Sequence, residues 1–576
     1  MELQLGLFLV IGLVTIVAAG VFGKKLGIAT PLVLIVVGAI FSFIPGAPVN
    51  VPAELILLGL LPPILYSSAI ALPVVDFRRN FASIGALSVL LVVATTFVTG
   101  ILLWAVFPAL SLPAAFAVGA VISPTDAVAA TAVAKRFGLP PRLVTILEGE
   151  GLVNDATALV LLRSAIAATA ATITFWDAVG DFAFAVSVAI AFGLVVGFVT
   201  VWVRSRLRDP LLDTAISFAV PFLAFIPAEV VGASGVIAVV AAGLYSGHHG
   251  ARRFSPQVRA TERTNWRTIQ FLLENGVFLL MGLELSYVLG TVEEDDLSVM
   301  QAVLLGLLIT LVLIVIRFVF VGPLLIVLRS QERRAARVQE RYRAMLDRVP
   351  DVETLSKRVA RRVENAHKNL QRRDNDLRSL QAQGLGWRGG VILGWSGMRG
   401  VVTLAAAQSL PETTPYRAQL VLIAFTVAIA TVLVQGGTLP WLIRLTGVQG
   451  TSETADRREL ASLLDELNEA GLEVLESPVA EDGEQIDPDV VERVRHDTLL
   501  GAQATWERVD SEGDAERIAN SPQRRYRELR RAVLRAEREA LLEARSAGSY
   551  PSRILQRAQA MLDLEEARLE QFEDKG

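Results

Sequence analysis

Apolar stretches long enough to cross a membrane recur along most of this chain, from Leu3 to Leu445. A helix needs about 20 mostly apolar residues to cross a bilayer, and its backbone groups must be satisfied within the segment. The 576 residues are 52% hydrophobic, which is high for a soluble protein of this length. The sequence therefore predicts an all-α, multi-pass protein of the cell membrane, with the lipid bilayer as its surroundings.

Thirteen transmembrane helices are predicted. Their bounds are 3–22, 28–45, 54–72, 80–107, 113–134, 142–170, 175–203, 210–228, 232–247, 267–289, 298–328, 387–409 and 417–445. The first stretch lacks a positively charged leader segment, so we expect a retained helix rather than a signal peptide.

Basic residues in the predicted loops indicate an orientation. Fifteen Lys and Arg residues fall in loops after odd-numbered helices, whereas loops after even-numbered helices contain only Arg417 and one acidic run, residues 293–296. Cytoplasmic loops carry the excess of basic residues in membrane proteins. The pattern predicts an outside N-terminus and a cytoplasmic C-terminus, and a missed helix would have disturbed the alternation.

The chain divides into membrane and soluble parts. Residues 1–328 hold helices 1–11, and residues 387–446 hold helices 12 and 13. Between them, 329–386 is a basic cytoplasmic insertion, and 451–576 is a charged, helical cytoplasmic tail. Both soluble parts are consistent with solvated helices supported by i,i+4 ion pairs, and a regulatory ligand on the tail is the alternative.

One predicted transmembrane helix carries an unusual set of charges. Between residues 148 and 163 it contains Glu148, Glu150, Asp155 and Arg163, together with Asn154. Each charge near the bilayer centre costs about 2.5–3.5 kcal/mol on insertion scales. Packing alone does not require such a set, so this segment is the strongest indication of a site for a small ion.

Two other helices contain breaks near their middles. Helix 5 contains Ser123-Pro124-Thr125-Asp126, and helix 12 contains residues 395–400, which include two glycines. Proline removes a helix hydrogen bond and disfavours helical geometry at the residue before it. Helices 5 and 12 are each the fifth of a six-helix block, 1–6 and 8–13, and they run in opposite directions. We therefore predict two inverted repeats, each with one interrupted helix lining a cavity.

Asp155 is the candidate carrier in this arrangement. A carboxylate can hold either a proton or a hard cation such as Na⁺, with K⁺ and Li⁺ as alternatives. That competition is the minimum chemistry of exchange. Asn154, Thr125 and Asp126 are further candidate ligands, and the oxygens of Thr125 and Asp126 could instead cap the ends of the broken helix.

The remaining intramembrane charges need partners, because an unpaired buried charge costs more than a pair. Glu150 lies roughly 140° around the helix from Asp155, so we expect it to pair with Arg399 on helix 12 and to support the site. Arg163 and Arg317 are candidates for tuning the pKa of the Asp155 carboxyl, and the alternative for Arg317 is a pair with a carboxylate that the sequence does not identify. Glu274 and Glu284 on helix 10 receive no assigned role.

Four motifs resemble the cation:proton antiporter 1 family, the bacterial NhaP-type and animal NHE-type sodium/proton exchangers. They are Leu61-Pro62-Pro63-Ile64-Leu65-Tyr66, Ser123-Pro124-Thr125-Asp126-Ala127-Val128-Ala129, Gly149-Glu150-Gly151-Leu152-Val153-Asn154-Asp155 and Gly397-Met398-Arg399-Gly400. The resemblance implies an ion site at Asp155, a Glu150–Arg399 ion pair, a homodimer, alternating access and a role in pH homeostasis. An Asn-Asp pair at 154–155 implies electroneutral exchange of one cation for one proton.

The sequence departs from the archaeal pattern at Ser67, where a glutamate is frequent, and at Gly151, where a serine is usual. Na⁺/H⁺ antiport without a cofactor is the leading hypothesis. The alternatives are K⁺/H⁺ exchange on the same fold, a cation channel gated by the tail, and a sensor that uses the tail as output. The chain has no cysteine, which excludes disulfides and thiolate chemistry. No motif indicates an enzyme or nucleic-acid binding.

Overall fold

The computed structural model describes most of the membrane part of the chain and short pieces of the tail. The described ranges are 2–26, 29–44, 51–170, 175–207, 209–292, 297–346, 385–448, residue 450, and short stretches between 467 and 565, of which 488–492 and 532–540 are the longest. Residues 347–384 of the predicted insertion and most of the predicted tail lie outside these ranges.

All regular structure in the described ranges is helical. The first ten helices are α1 Glu2–Leu26, α2 Thr30–Ser42, α3 Leu61–Ala71, α4 Val74–Arg79, α5 Phe81–Gly85, α6 Val92–Val106, α7 Leu112–Ile122, α8 Ala127–Arg136, α9 Pro141–Ala170 and α10 Phe175–Arg204. They are followed by α11 Pro210–Val230, α12 Gly235–Arg253, α13 Pro256–Leu283, α14 Leu285–Gly290, α15 Val299–Leu346, α16 Trp387–Trp395, α17 Val401–Gln408, α18 Arg417–Thr431 and α19 Gly437–Thr446. Short π-helical segments at Leu55–Leu60, Ala86–Leu91 and Val432–Gly436 join neighbouring helices into continuous runs.

Eleven of the thirteen predicted transmembrane segments fall on a helix or a continuous helical run, and 113–134 and 387–409 each fall on two helices separated by a break. Eight helices in the described ranges are long and apolar enough to cross a membrane, and three more apolar helices are shorter. The number of membrane crossings and the inverted repeats stay predictions. At the insertion, α15 continues without a break past the predicted boundary at residue 328 to Leu346.

Capping side chains mark where several helices begin. Asp209 accepts a hydrogen bond from the Leu211 backbone N–H at 2.8 Å at the start of α11. Ser234 and Ser255 accept backbone N–H groups in the same way at the starts of α12 and α13. These contacts satisfy amide groups that have no partner within the helix, which fixes the helix starts locally.

The helices of residues 1–450 form two large hydrophobic clusters, and α9 contributes to both. One cluster includes α2, α6–α8 and α15–α19, and it takes Leu143 and Ile146 from the first half of α9. The other is built from α3 and α10–α12, and it takes Leu152 and Ala156 from the middle of α9. The charged segment predicted as the ion site therefore lies where the two clusters meet.

Residues 451–576 form a second compact unit. Its longest described stretches, 488–492 and 532–540, are helical, and the helical tail as a whole stays a prediction. Within the second stretch Leu534 is buried, whereas the residues around it are exposed.

Candidate functional site

The predicted break in helix 5 is present. Helix α7 ends at Ile122 and α8 begins at Ala127, and Ser123–Asp126 between them is not helical. The Asp126 side chain caps α8, since its Oδ1 accepts the Val128 backbone N–H at 2.7 Å. A carboxylate at this position is favoured by the positive end of the α8 dipole.

The second break lies against the first. Helix α16 ends at Trp395 and α17 begins at Val401. The backbone N–H of Asp126 donates to the backbone carbonyl of Met398 at 2.7 Å, which joins the two interrupted segments directly. A Cβ on Gly400 would lie 2.3 Å from Asp126 Oδ2, so only glycine permits this approach. The breaks predicted separately from sequence therefore form one crossing.

Arg399 is fully buried at this crossing, and its hydrogen bonds go to backbone carbonyls. Its Nε donates to the Ile122 carbonyl at 3.3 Å, and its Nη1 donates to the Gly397 carbonyl. Ile122 is the last residue of α7, so the guanidinium lies at the negative end of that helix dipole. Its backbone N–H donates to Thr431 Oγ1 at 2.9 Å, which fixes the segment to α18.

Glu150 forms its ion pair with Arg317, which replaces the expected pairing with Arg399. Arg317 Nη1 lies 2.5 Å from Glu150 Oε1, and Nη2 lies 2.8 Å from Oε2. Both residues are buried, with exposures of 1% and 2%. The prediction was wrong because the Arg399 guanidinium donates to backbone carbonyls. A search of the sequence for oppositely charged side chains does not consider these groups.

Arg317 is therefore a brace for Glu150 rather than a tuner of Asp155. Its Nε also donates to the Leu393 carbonyl of α16 at 3.0 Å, so it connects α15 to both α9 and α16. A Cβ on Gly397 would lie 2.6 Å from Arg317 Cδ, so this glycine leaves the space that the arginine occupies. The sequence signal for this pair was that Glu150 and Arg317 are both intramembrane charges and that each needs a partner.

Three polar side chains form a chain of hydrogen bonds next to this ion pair. Thr125 Oγ1 donates to Glu150 Oε1 at 2.7 Å. Asn154 Nδ2 donates to the Thr125 carbonyl at 2.6 Å and to its Oγ1 at 2.9 Å. The buried Asn154 Oδ1 has no hydrogen-bond partner among the described residues. An acceptor oxygen without a donor is suited to a cation, because a buried polar atom otherwise costs desolvation energy.

The Asp155 carboxylate is different from Glu150 because the structure gives it no ion pair or hydrogen bond within the described residues. It is partly exposed, on the helix that joins the two hydrophobic clusters. Hydrogen bonds join Asn154 to Thr125, and Asp155 follows Asn154 on α9. That these residues share one ion site with Asp126 stays a prediction.

Arg163 lies away from this group and forms an ion pair with Glu229 at the end of α11. Glu229 Oε1 also accepts the Gly235 backbone N–H at 2.8 Å at the start of α12. The expected influence of Arg163 on Asp155 has no contact to support it. Eight residues along a helix rotate a side chain by about 80°, which turns Arg163 toward α11.

The two sequence departures have local explanations. Ser67 Oγ donates to the Ile64 carbonyl at 2.7 Å within its own helix. A Cβ on Gly151 would lie 2.9 Å from the Ala127 Cβ, so glycine lets α9 approach the start of α8. Glu148, the first carboxylate of the charged segment, pairs with Lys135 at 2.7 Å near the surface.

Comparison with known proteins identifies the class. The family model described as sodium/hydrogen exchanger, transmembrane, matches residues 11–445. The chain belongs to this family. The predicted resemblance to the cation:proton antiporters is thereby confirmed, and the family is one of multi-pass membrane transporters rather than enzymes.

Individual relatives agree with this membership. An uncharacterised Na⁺/H⁺ exchanger of Mycobacterium bovis is 29% identical over 579 residues, covering 98% of this chain and 97% of the relative. A sodium, potassium, lithium and rubidium/H⁺ antiporter of Bacillus pumilus is 31% identical over 307 residues, covering 51% of this exchanger and 45% of the relative. The sodium proton antiporter of Methanocaldococcus jannaschii has a similar fold, with a TM-score of 0.54 at 17% identity, covering 78% of this exchanger and all of that chain.

Proposed function

We propose that this exchanger moves Na⁺ and protons in opposite directions and that Asp155 is the carboxylate they share. The observation that carries the proposal is the difference between Asp155 and Glu150 on the same helix. Arg317 neutralises Glu150 through two contacts, whereas no cationic side chain pairs with Asp155 in the described ranges. A partly exposed carboxylate without a partner can bind a proton or a cation in turn.

The surrounding groups have complementary roles in this proposal. Asn154 offers its unpartnered Oδ1 to the cation, while Thr125 holds Asn154 in place. The Asp126 carboxylate remains engaged at the start of α8, where a negative charge is stabilised. Asp155 is therefore the group whose charge changes, and exchange of one Na⁺ for one proton leaves the net charge moved at zero.

The crossing supplies a reason for alternating access. A backbone hydrogen bond, the contact of Gly400 with Asp126 and the hydrogen bond from Arg399 to the Ile122 carbonyl join the two interrupted helices. We infer that the site opens to one side of the membrane at a time as the helices around this crossing move relative to α3 and α10–α12. Ligand sites at interrupted helices near a repeat interface suit this movement.

The test uses the full chain reconstituted in vesicles with a trapped pH dye. Addition of Na⁺ should move protons in the wild type, and Asp155→Asn should abolish the movement. Glu148→Gln is the matched control, because it removes a carboxylate from the same helix that pairs near the surface. Proton movement that persists in Asp155→Asn would exclude Asp155 as the carrier.

The same vesicles distinguish the alternatives. Adding K⁺ or Li⁺ in place of Na⁺ tests which cation is exchanged. This measurement is needed because the name of the Bacillus relative includes sodium, potassium, lithium and rubidium. An imposed membrane potential should leave the rate unchanged if exchange is electroneutral. Ion currents far above carrier turnover, without opposing proton flux, would indicate the channel instead.

Topology and assembly are also part of the proposal. We propose a cell-membrane homodimer that contributes to pH homeostasis, with an outside N-terminus and a cytoplasmic C-terminus. Because the chain has no cysteine, single cysteines can be introduced without a background. Arg79→Cys should react with a membrane-impermeant thiol reagent from the cytoplasmic side, and Glu412→Cys from the outside. The reverse pattern would overturn the orientation.

A further inference from the structure

Glu284 is a buried carboxyl outside the proposed ion site. It lies between α13 and α14 and has no exposed surface. Its Oε1 accepts the Val51 backbone N–H at 2.9 Å and the Gln408 Nε2 at 3.3 Å. Gln408 is the last residue of α17, so this contact joins α13 to the far end of the second interrupted helix.

Two oxygen atoms in this contact have no hydrogen-bond partner among the described residues. They are Glu284 Oε2 and Gln408 Oε1, and both atoms are inaccessible to solvent. An ionised carboxylate and an amide oxygen are both acceptors only, so neither can satisfy the other. Buried polar atoms without partners are rare, and each one requires a physical explanation.

No cationic group compensates a charge on Glu284 in the described part of the chain. Helices α2 and α17 carry no charged residue, while α14 brings Tyr287 and the segment before α3 brings Glu54. Arg417 on α18 donates instead to the Gln408 carbonyl at 2.6 Å and to another backbone carbonyl. An isolated buried carboxylate is very costly, so the neutral acid is the form that this environment favours.

We propose that Glu284 holds a proton on Oε2 and forms a cyclic acid–amide pair with Gln408. The Oε2–H group donates to Gln408 Oε1, and Gln408 Nε2 donates to Oε1 of the acid. The proton makes Oε2 a donor to Gln408 Oε1, so one hydrogen bond satisfies both oxygens that lacked a partner. The Val51 contact to Oε1 is unchanged. A bound Na⁺ is less well suited, because hard cations are held by several oxygens and only two are free here.

The pair fastens α17, which begins at the crossing, to α13. Helix α17 begins directly after Gly400, which packs against Asp126, and it ends at Gln408. Loss of the proton would leave two acceptor oxygens facing each other and an unpaired charge between α13 and α17. The protonation of Glu284 therefore holds the C-terminal end of α17 to α13. This inference does not depend on Asp155 as the carrier.

Infrared spectroscopy of the purified full-length protein tests the proton directly. At neutral pH the wild type should show the C=O stretching band of a protonated carboxyl, and Glu284→Gln should remove a component of that band. Glu412→Gln, which changes an exposed carboxyl, is the control. Gln408→Leu should keep the band but shift it to higher frequency, because the acid loses its acceptor. An unchanged band in Glu284→Gln would overturn the proposal.

Thermal stability gives a second readout. The wild-type melting temperature should fall as alkaline pH removes the proton, and the fall should be smaller in Glu284→Gln, which retains a neutral side chain. The exchanged double variant, Glu284→Gln with Gln408→Glu, restores an acid–amide pair and should recover stability lost in Gln408→Leu. If NaCl, compared with choline chloride, stabilises the wild type but not Glu284→Gln, the site binds Na⁺ and the proposal is wrong.

Discussion

Glu150→Gln should destabilise the membrane unit more than Arg317→Met, although each substitution removes one partner of the same ion pair. The pair is bidentate, with contacts of 2.5 and 2.8 Å, and both side chains are buried. Removing one partner of a buried pair costs about 3–5 kcal/mol, because the other charge remains uncompensated. The difference between the two variants comes from Arg399, which interacts electrostatically with both residues.

The three buried side chains carry two positive charges and one negative charge. Arg317→Met leaves Glu150 with Arg399, so the local charge is balanced, whereas Glu150→Gln leaves two arginines without a counterion. We therefore expect about 3–5 kcal/mol for Glu150→Gln and a smaller loss for Arg317→Met. Glu150→Gln also weakens the acceptor of the Thr125 hydroxyl, which extends the damage toward Asn154.

The assay is thermal and denaturant unfolding of the detergent-solubilised full chain, followed by intrinsic tryptophan fluorescence. A double-mutant cycle between Glu150 and Arg317 should give a coupling energy clearly above the roughly 0.3–0.5 kcal/mol expected for independent sites. The matched cycle between Glu150 and Arg399 should give a smaller value. A larger coupling with Arg399 than with Arg317 would refute the assignment of the pair.

Three further predictions follow from other contacts. Gly400→Ala should cost about 1–3 kcal/mol by overpacking the crossing and should reduce transport, whereas Gly437→Ala, with nothing within 4 Å of the added methyl, should be tolerated in the same melting and vesicle assays. The apparent KM for Na⁺ should rise as pH falls, by about tenfold per pH unit in the acid range, because protons compete for Asp155; a pH-independent KM would contradict competition. Arg163→Gln should change stability by no more than about 1 kcal/mol, since its pair with Glu229 is half exposed, and a larger loss in the melting assay would mean that the pair is screened from solvent.

The helical breaks were predictable because they follow from local chemistry. Pro124 removes a backbone hydrogen bond wherever it stands in a helix, and the residues around it need nothing distant to produce the interruption. The same holds for the lengths of the apolar helices and for the amide of Asn154 and the carboxylate of Asp155. Each of these features depends on neighbours along the chain, which the sequence displays.

The partners of the buried arginines were not predictable in this way. The helical period gives the direction of Glu150 on α9, but it does not say whether α15 or the second break faces it. Arg399 was expected to meet a carboxylate and instead meets the carbonyl at the end of α7, a group that every residue carries and no sequence pattern marks. Gly400 likewise reads only as a weak point in a helix until Asp126 is found against it.

By itself the sequence determined a helical membrane protein with two interrupted helices and an intramembrane carboxylate at Asp155, because these depend on hydrophobicity, local backbone geometry and residue type. Only the tertiary structure decided that Arg317 holds Glu150, that Arg163 faces Glu229, and that Glu284 meets Gln408. Pairings between side chains on different helices depend on how those helices pack, and packing is a property of the whole fold.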